Sequence, residues 1–264
     1  MSQRHAGFFM YCCFDTHCHL ADPVFTQAVL DEFFASLSNS EQSFYFLAVS
    51  TSLQDSHLTH RLSQRYDRVL ASAGIHPWFV SSDFESQLAA MEDFVVQHAA
   101  SLAALGEIGL DAMPGRPNQA WQKIVFEHQL RLAEAHSLPV SIHCLKAYNP
   151  MLKFLRAYNV TGVMHGFSGG AQMARDFIEA GFTIGVNSVL LNQNACRYHA
   201  MVQAVGLEHL VLESDAPFSQ NFSMSQPFAS LALLSKKVSE LLGVTQDEVL
   251  DKTCQNAKAI FLKE

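Results

Sequence analysis

Short apolar segments recur along the chain, and longer segments of mixed polar and apolar residues separate them. The eight predicted strands cover residues 14–20, 44–50, 69–76, 103–111, 139–144, 162–167, 183–187 and 210–215. Short apolar runs that alternate with helices are typical of parallel βαβ units, and eight such units are the number that closes a barrel. The sequence therefore predicts an α/β fold, the (β/α)₈ TIM barrel.

The segments between the predicted strands carry apolar residues at near-helical spacing. The clearest pattern lies in residues 121–136, which include Ile124, Phe126, Leu130, Leu132 and Ala133. Further helices are predicted for residues 88–100, 150–158, 171–180 and 230–242, and a last one, 246–262, is expected to pack outside the barrel. The 264 residues fit one barrel of about 250 residues and contain no linker or low-complexity tract, so we predict a single domain, 1–264.

Charge and hydropathy narrow the classes of function. The formal net charge is −8 and the chain has no run of lysine or arginine, which argues against tight binding to long duplex nucleic acid. A phosphate substrate remains compatible with this charge, because two bound divalent cations would reverse the local field. No apolar run approaches the about 20 residues that span a bilayer, so we expect no membrane partner.

Two features of the sequence favour a cytoplasmic protein. None of the six cysteines forms a C-x-x-C pair, and the adjacent Cys12 and Cys13 suit no ordinary bridge, which favours reduced thiols. Arg4 and the apolar residues 7–14 faintly resemble a secretion signal, but the run is short and lacks a small-residue cleavage site. Because it leads directly into Asp15 and His17, we predict a strand after a short leader.

Imidazole and carboxylate side chains stand at the carboxyl ends of the predicted strands, where barrels of this type have their active sites. This mixture suits divalent ions such as zinc, manganese, magnesium or nickel better than a thiolate site would. The predicted metal ligands are His17, His19, Glu107, His143, His165 and Asp215.

The spacing and surroundings of these residues suggest how they share the ions. His17 and His19 lie two apart on a strand and point the same way, so both rings can bind one ion. Glu107 lies between glycines in an apolar strand, where a carboxylate is costly unless it is paired or bound to metal. We interpret it as a bridge between two ions, with an internal salt bridge as the alternative. His143 and His165 could each be a hydrogen-bonded core histidine, but as a pair on adjacent strands they form a second ion site.

Asp215 and Glu107 are the predicted catalytic residues. Asp215 is assigned two roles, metal ligand and general base, because a carboxylate at a metal site can deprotonate the attacking water. Glu213 shares its face of the strand and is predicted to orient Asp215 or to touch the substrate, with a structural ion pair as the alternative. Asp15 is either a hydrogen-bond acceptor behind the ligands or simply a polar strand residue.

Two further positions are predicted to contact substrate. His76 precedes Pro77 at a strand end, where it would contact substrate or cap the strand. Ser168 opens a Ser-Gly-Gly segment before a helix, where backbone N–H groups would hold an anion or form an ordinary turn. Cys18 and Cys144 should point outward toward the helices and serve packing. The histidines expected at the surface, on helices or loops, are His98, His128, His136, His199 and His209.

Six motifs taken together resemble the TatD-like deoxyribonuclease family, within the amidohydrolase-like metallo-hydrolases. They are DTHCHL at 15–20, GIHP at 74–77, GEIGLD at 106–111, LPVSIH at 138–143, HGFSG at 165–169 and LESDAP at 212–217, in order over almost the whole chain. The resemblance implies a TIM barrel, two divalent ions and hydrolysis of phosphodiester bonds, with DNA exonuclease activity in some members. It also implies that His17, His19 and Asp215 hold one ion, His143 and His165 the other, and that Glu107 bridges them.

The chain departs from the family pattern around the substrate. Leu145, followed by Lys146, stands where the family usually has an arginine, and leucine cannot clamp a phosphate. The other departures are Ala112 in place of an aromatic residue, Asn187-Ser188 in place of a second glycine, the segment 225–228 in place of Asn-x-Pro, and a 256–261 segment without arginine.

The sequence therefore predicts a two-metal phosphodiesterase, a nuclease that binds DNA ends or single strands weakly and without sequence specificity. One rival is a metallo-amidohydrolase or lactonase that acts on a small carbonyl compound, which the loss of the arginine at Leu145 would favour. The other rival is a metal-dependent binding protein without turnover.

Overall fold

A computed structural model describes residues 12–38, 43–116, 118–219 and 228–262. Its strands are all parallel and close into one barrel in chain order, β1 to β8. They are β1 Cys12–Cys18, β2 Ser43–Ala48, β3 Val69–Ala73, β4 Ala104–Asp111, β5 Val140–Leu145, β6 Gly162–Met164, β7 Phe182–Val186 and β8 Leu210–Leu212. The predicted (β/α)₈ barrel is confirmed. The predicted leader before Cys12 and residues 225–227 lie outside the described residues.

Helices follow the strands around the barrel, and two come after β8. They are α1 Gln27–Ser38, α2 Leu53–Arg65, α3 Phe84–His98, α4 Gln119–His136, α5 Tyr148–Leu155, α6 Ala171–Glu179, α7 Cys196–Val205, α8 Ala229–Leu242 and α9 Gln246–Phe261. The six helices predicted by spacing are present with shifted ends, whereas the spacing predicts no helix at α1, α2 or α7. In α2 the fully buried residues, Ser56 and Thr59, are polar, and Leu53 and Leu62 pack against the core while only partly buried.

Several strands end earlier than predicted. β3 stops at Ala73, β6 at Met164 and β8 at Leu212, each three residues before the end expected from the apolar pattern. His76, His165 and Asp215 therefore lie on the loops that follow these strands, whereas His17, Glu107 and His143 lie within strands. The predicted site residues thus lie partly on rigid strands and partly on the loops at the same end of the barrel.

Cys18 and Cys144 are buried, as their predicted packing role requires. The expectation that the cysteines are all reduced thiols is wrong. Cys18 belongs to the buried cluster that includes Leu30 of α1, and burial raises the pKa of the Cys144 thiol to about 12. However, Cys12 of β1 and Cys254 of α9 form a disulfide, with Cα atoms 5.9 Å apart. The two cysteines are 242 residues apart, so local spacing could not reveal that the last helix packs on the first strand.

Among the described residues, no helix has the length and apolar character needed to cross a bilayer.

Candidate metal centre

The six predicted metal ligands come together at the carboxyl end of the barrel. His17 and His143 lie in β1 and β5, Glu107 lies in β4, and His165 directly follows β6. Five of the six side chains are nearly buried, with exposed fractions of 0% for His17 to 11% for His143. These residues lie in or just after β1, β4, β5, β6 and β8, so only closure of the barrel places them side by side.

Glu107 occupies the middle of this cluster. Its Oε1 lies 2.9 Å from Nδ1 of His143 and 3.5 Å from Nε2 of His76, and its Oε2 lies 3.3 Å from Nε2 of His17. Nε2 of His19 is 3.8 Å from Oε2. Each oxygen of the carboxylate therefore faces its own pair of imidazoles.

Burial alone would raise the pKa of the Glu107 carboxyl. The imidazoles of His76, His17 and His143 outweigh burial and hold its pKa well below the usual range, so the group is a carboxylate. No lysine or arginine of the described residues pairs with it, which speaks against the alternative of an internal salt bridge to such a residue.

Asp215 reaches the cluster from the loop after β8. Its backbone has φ of 53°, in the left-handed region, and its N–H donates to the carbonyl of His17 over 2.9 Å. This turn brings its Oδ1 within 3.5 Å of Nε2 of His19 and 4.0 Å of Nε2 of His165. Its side chain is 26% exposed, more than any other predicted ligand, so it faces the open cavity.

His165 is held from behind by Glu213. Its ring stacks on that of His17 with centroids 3.4 Å apart, and its Nδ1 lies 3.0 Å from Oε2 of Glu213. Burial opposes the charged form of the ring, but Glu213 outweighs burial and raises the pKa of His165 to about 10. Glu213 is fully buried, so its contact is with His165 rather than with Asp215 or the open cavity.

The space for Glu213 depends on a glycine. A Cβ atom built on Gly185 of β7 would lie 2.0 Å from Oε1 of Glu213, so only glycine permits this approach. The backbone N–H of Gly166 also donates to Oε2 of Glu213 over 2.9 Å. These contacts fix the carboxylate of Glu213 relative to β6 and β7.

The two other predicted substrate residues have partners in the fold. Nδ1 of His76 accepts from the backbone N–H of Trp78 over 3.1 Å and caps a short turn, while its Nε2 points to Glu107. The backbone N–H of Ser168 donates to the hydroxyl of Tyr148 over 3.2 Å, as in an ordinary turn. His76 therefore belongs to the cluster itself, and the N–H of Ser168 is already engaged.

Sequence reasoning missed two side chains that support the cluster and left a third undecided. The hydroxyl of Ser141 lies 3.2 Å from Nδ1 of His17, and Oδ2 of Asp111 lies 3.5 Å from Nε2 of His143. Oδ1 of Asp15 accepts from the backbone N–H groups of His17 and Ser214, which joins β1 to the loop after β8. Strand alternation could have revealed Asp111, because it lies four residues after Glu107 on the same face of β4.

The donor set fits a divalent metal ion. Donor atoms lie within 4.8 Å of one another in three groups: His17, His19 and Asp215; His17, Glu107 and His165; and His76, Glu107 and His143. Nε2 of His17 and Nε2 of His143 are buried and have no hydrogen-bond partner. Buried polar atoms without a partner are costly, and a metal ion would use the lone pairs of both nitrogens.

The clusters of donor atoms differ in one respect from the assignment of residues to the two ions that the family resemblance implies. His17, His19 and Asp215 do cluster, but His143 groups with His76, and His165 groups with His17. The histidines predicted to serve other purposes belong to none of the three donor groups: His98 in α3, His128 and His136 in α4, His199 in α7 and His209 just before β8.

The fold and the buried set of imidazoles and carboxylates define a metal-dependent hydrolase built on a (β/α)₈ barrel. Residues 14–262 match the family model of the TatD related DNases, and the chain belongs to this family. The resemblance noted in the sequence is thereby confirmed.

Several relatives of known sequence or structure cover nearly the whole chain. YjjV of Escherichia coli (strain K12), an uncharacterized metal-dependent hydrolase, is 29% identical over 96% of this chain and 99% of its own. Its crystal structure matches with a TM-score of 0.83 and 26% identity, over 96% of this chain and 98% of that one. The human deoxyribonuclease TATDN3 is 25% identical over 94% of each chain. The 3'-5' ssDNA/RNA exonuclease TatD of Cronobacter sakazakii is 30% identical over 65% of this chain and 66% of its own.

Proposed function

We propose that this hydrolase cleaves phosphodiester bonds at the ends of single-stranded nucleic acid, with two divalent ions held around Glu107. The observation that carries the proposal is the position of Glu107, whose two carboxylate oxygens face two different pairs of imidazoles. A carboxylate between two donor groups is suited to bridging two ions, which is a common arrangement in enzymes that cleave phosphodiesters. The family and the activities named for its relatives agree with this chemistry.

In the proposal, His17, His19 and Asp215 hold one ion, and His143 and His165 hold the other. Glu107 bridges the two, and His76 lies close enough to Glu107 and His143 to join the second group. When bound, such ions lower the pKa of the attacking water and stabilise charge on the phosphoryl oxygens. Zinc, manganese, magnesium and nickel all suit this mixture of ligands.

Asp215 is proposed as the general base. Burial disfavours its charged form, but the hydrogen bond from His19 and the neighbouring imidazoles of His165 and His17 outweigh burial and lower the pKa of Asp215. The carboxylate is therefore ionised, and its partial exposure lets it accept a proton from water in the cavity. Glu213 keeps the ring of His165 in place and acts as a positioning residue rather than as a substrate contact.

The substrate is proposed to be small or single-stranded, and its binding weak and not sequence-specific. The cavity beside Glu107 measures about 750 Å³, within the range of about 300–1,000 Å³ typical of small-molecule sites. The net charge of −8 disfavours an extended contact with duplex phosphates. We also propose a cytoplasmic location, and the Cys12–Cys254 disulfide is the observation that speaks against it.

A small amide or lactone is the second candidate substrate. Leu145 is the last residue of β5, two positions after His143, where an arginine would have clamped a phosphate. The same side chains around Glu107 and Asp215 would then act on a carbonyl group. The family and its named relatives favour the phosphodiester.

The test is hydrolysis of bis-p-nitrophenyl phosphate and of a short labelled single-stranded oligonucleotide. Metal-stripped protein would be assayed with manganese, magnesium or zinc restored, beside a panel of amides and lactones. We expect metal-dependent cleavage of both phosphodiesters and loss of both activities in His17→Ala. Cleavage of an amide or lactone without cleavage of either phosphodiester, by protein that binds its ions, would overturn the proposal.

A further inference from the structure

Exposed aromatic rings are concentrated at one place on the molecule. Among the described residues, the phenylalanine, tryptophan and tyrosine side chains classed as exposed are Trp78, Phe79 and Phe218, which are 49%, 51% and 64% exposed. All three line the cavity that also contains Glu107 and Asp215. The other large exposed apolar side chains are aliphatic and do not line this cavity: Val96, Ile124, Val189 and Leu233.

Exposed apolar rings that converge on one cleft indicate a ligand with flat apolar faces. Aromatic side chains bind such a face with a large contact area and little loss of conformational freedom. Scattered surface hydrophobics need no explanation, but these three surround the candidate metal centre. The position of the rings is therefore connected with what the centre acts on.

Phe218 and Trp78 each contact an imidazole that faces Glu107, and the two imidazoles face different oxygens of that carboxylate. Phe218 meets the ring of His19 with centroids 5.0 Å apart, and His19 faces Oε2 of Glu107. Trp78 meets the ring of His76 at 5.0 Å, and His76 faces Oε1. A substrate whose reacting group lies at Glu107 would place its two flanking groups beside Phe218 and Trp78.

Trp78 is held in place before any ligand arrives. Its indole N–H donates to Oδ2 of the buried Asp111, and the guanidinium carbon of Arg116 lies 3.9 Å from the ring centroid. Nε of Arg116 is 3.2 Å from the same carboxylate oxygen of Asp111, so indole and guanidinium share one anchor. A ring fixed in this way loses little entropy on binding.

We propose that the nucleobases on either side of the scissile phosphodiester stack on Trp78 and Phe218, with Phe79 extending the apolar wall. This inference rests on the proposed function and specifies its substrate as unpaired nucleotides. Bases inside a duplex are stacked on one another, so only a single strand or a frayed end can present them to side chains. Stacking tolerates any base, and it needs few phosphate contacts, which suits a protein with a net charge of −8 and leucine at position 145.

The first test compares two single-stranded oligonucleotides that differ only at their last two nucleotides, which carry bases in one and are abasic in the other. Stacking contributes about 1–3 kcal/mol per base, so wild-type kcat/KM should favour the natural end by about tenfold or more. Phe218→Leu and Trp78→Leu should each reduce this ratio toward one, whereas Phe218→Tyr, which keeps a ring, should retain it. Leu233→Ala is the matched control, because Leu233 is 49% exposed on α8 and lies outside the cavity.

The second test measures binding without turnover. The chain has two tryptophans, so Trp121→Phe leaves Trp78 as the only indole and as a reporter of stacking. Metal-loaded Trp121→Phe should lose fluorescence on titration with a phosphorothioate-ended single strand, and the abasic strand should quench it much less. Metal content, measured in every variant, shows whether the loss of Phe218 disturbs His19.

The outcomes separate this inference from the proposed function. Equal kcat/KM for the natural and abasic ends, or a ratio unchanged in both leucine variants, would overturn stacking while phosphodiester cleavage stands. Quenching that is the same for both strands would also overturn it. Failure of the wild-type protein to cleave any phosphodiester with any metal would instead overturn the proposed function.

Discussion

Asp215 differs from the other proposed ligands because its carboxylate is both anchored and open to the cavity. Its backbone N–H is bonded to His17 and its Oδ1 faces His19, yet a quarter of its side chain, 26%, is exposed. The other five proposed ligands are at most 11% exposed. Removing the charge of Asp215 should therefore affect proton transfer more than it affects the architecture of the site.

We predict that Asp215→Asn lowers kcat on a phosphodiester by about 10²–10⁴-fold, because an amide cannot accept the proton of the attacking water. Most of the bound metal should remain, since the five other ligands are unchanged. The measurement is kcat together with metal content by atomic emission. Asp93→Asn, the same change on an exposed position of α3, is the control. Wild-type activity in Asp215→Asn would remove this residue from the mechanism.

Glu213 illustrates a residue that acts through its neighbour. It is fully buried, and its Oε2 is bonded to His165 and to the backbone of Gly166. Groups that orient a metal-binding histidine commonly change metal affinity or activity by about 10–100-fold when they are mutated.

We predict that Glu213→Gln weakens metal binding by about tenfold or more, because the neutral amide no longer holds the ring of His165 electrostatically. A competition titration with a chelating dye measures the affinity directly. Glu179→Gln, on the outer helix α6, provides the control for the loss of a carboxylate. An affinity within twofold of the wild type would show that Glu213 has only a packing role.

At the scale of the elements, both strands and loops contribute side chains to the candidate site. β1, β4 and β5 carry His17, Glu107 and His143 within regular strands, where neighbouring backbones limit their motion. The loops after β6 and β8 carry His165 and Asp215, which makes these positions more dependent on their side-chain contacts. The helices outside the barrel stabilise this arrangement, and α9 also joins β1 through Cys12 and Cys254.

The start of α9 allows a stability prediction. The hydroxyl of Thr245 accepts from the backbone N–H of Glu248, and the carboxylate of Glu248 accepts from the backbone N–H of Thr245, which forms a capping box. Thr245→Ala should lower the free energy of unfolding by about 1 kcal/mol, whereas Thr245→Ser keeps the hydroxyl and should lower it less. Urea denaturation of both variants measures the difference. Equal stability of the alanine and serine variants would show that the capping box does not stabilise α9.

At the scale of the whole molecule, the candidate metal centre couples binding to folding. Its ligands come from five strands or the loops after them and from both ends of the sequence, so the unfolded chain has no such site. An ion that binds the folded state alone stabilises it by about 2.7 kcal/mol at a concentration of 100 times Kd.

We predict that removal of the metal lowers Tm by about 5–10 °C, from that free energy and the typical shift per kcal/mol for a chain of this size. Thermal scans of stripped and reloaded protein measure this effect. His17→Ala should show a smaller rise of Tm on addition of metal, and His209→Ala, before β8, should behave as the wild type. A Tm that is independent of metal in the wild type would contradict a preformed centre of high affinity.

Much of this molecule could be predicted from local patterns. Apolar periodicity identified the strands of the barrel, and spacing within strands placed His17 beside His19, with ring centroids 5.0 Å apart. These predictions were possible because the repeat of side-chain direction in a strand or a helix relates residues that are close in sequence. Apolar periodicity did not predict helix α2, because its fully buried residues, Ser56 and Thr59, are polar. These hydroxyls bond to Ser50 or to the backbone.

The sequence by itself determined the fold class, the family and the set of candidate ligands, since these depend on residue type and spacing. The tertiary structure decided which groups meet: Glu213 with His165, Asp111 with His143 and Trp78, and Cys12 with Cys254. It also brought Trp78 and Phe218 to one cavity, although 140 positions separate them. These pairings follow from strand register and barrel closure, which no local interaction specifies, and so only the folded chain reveals them.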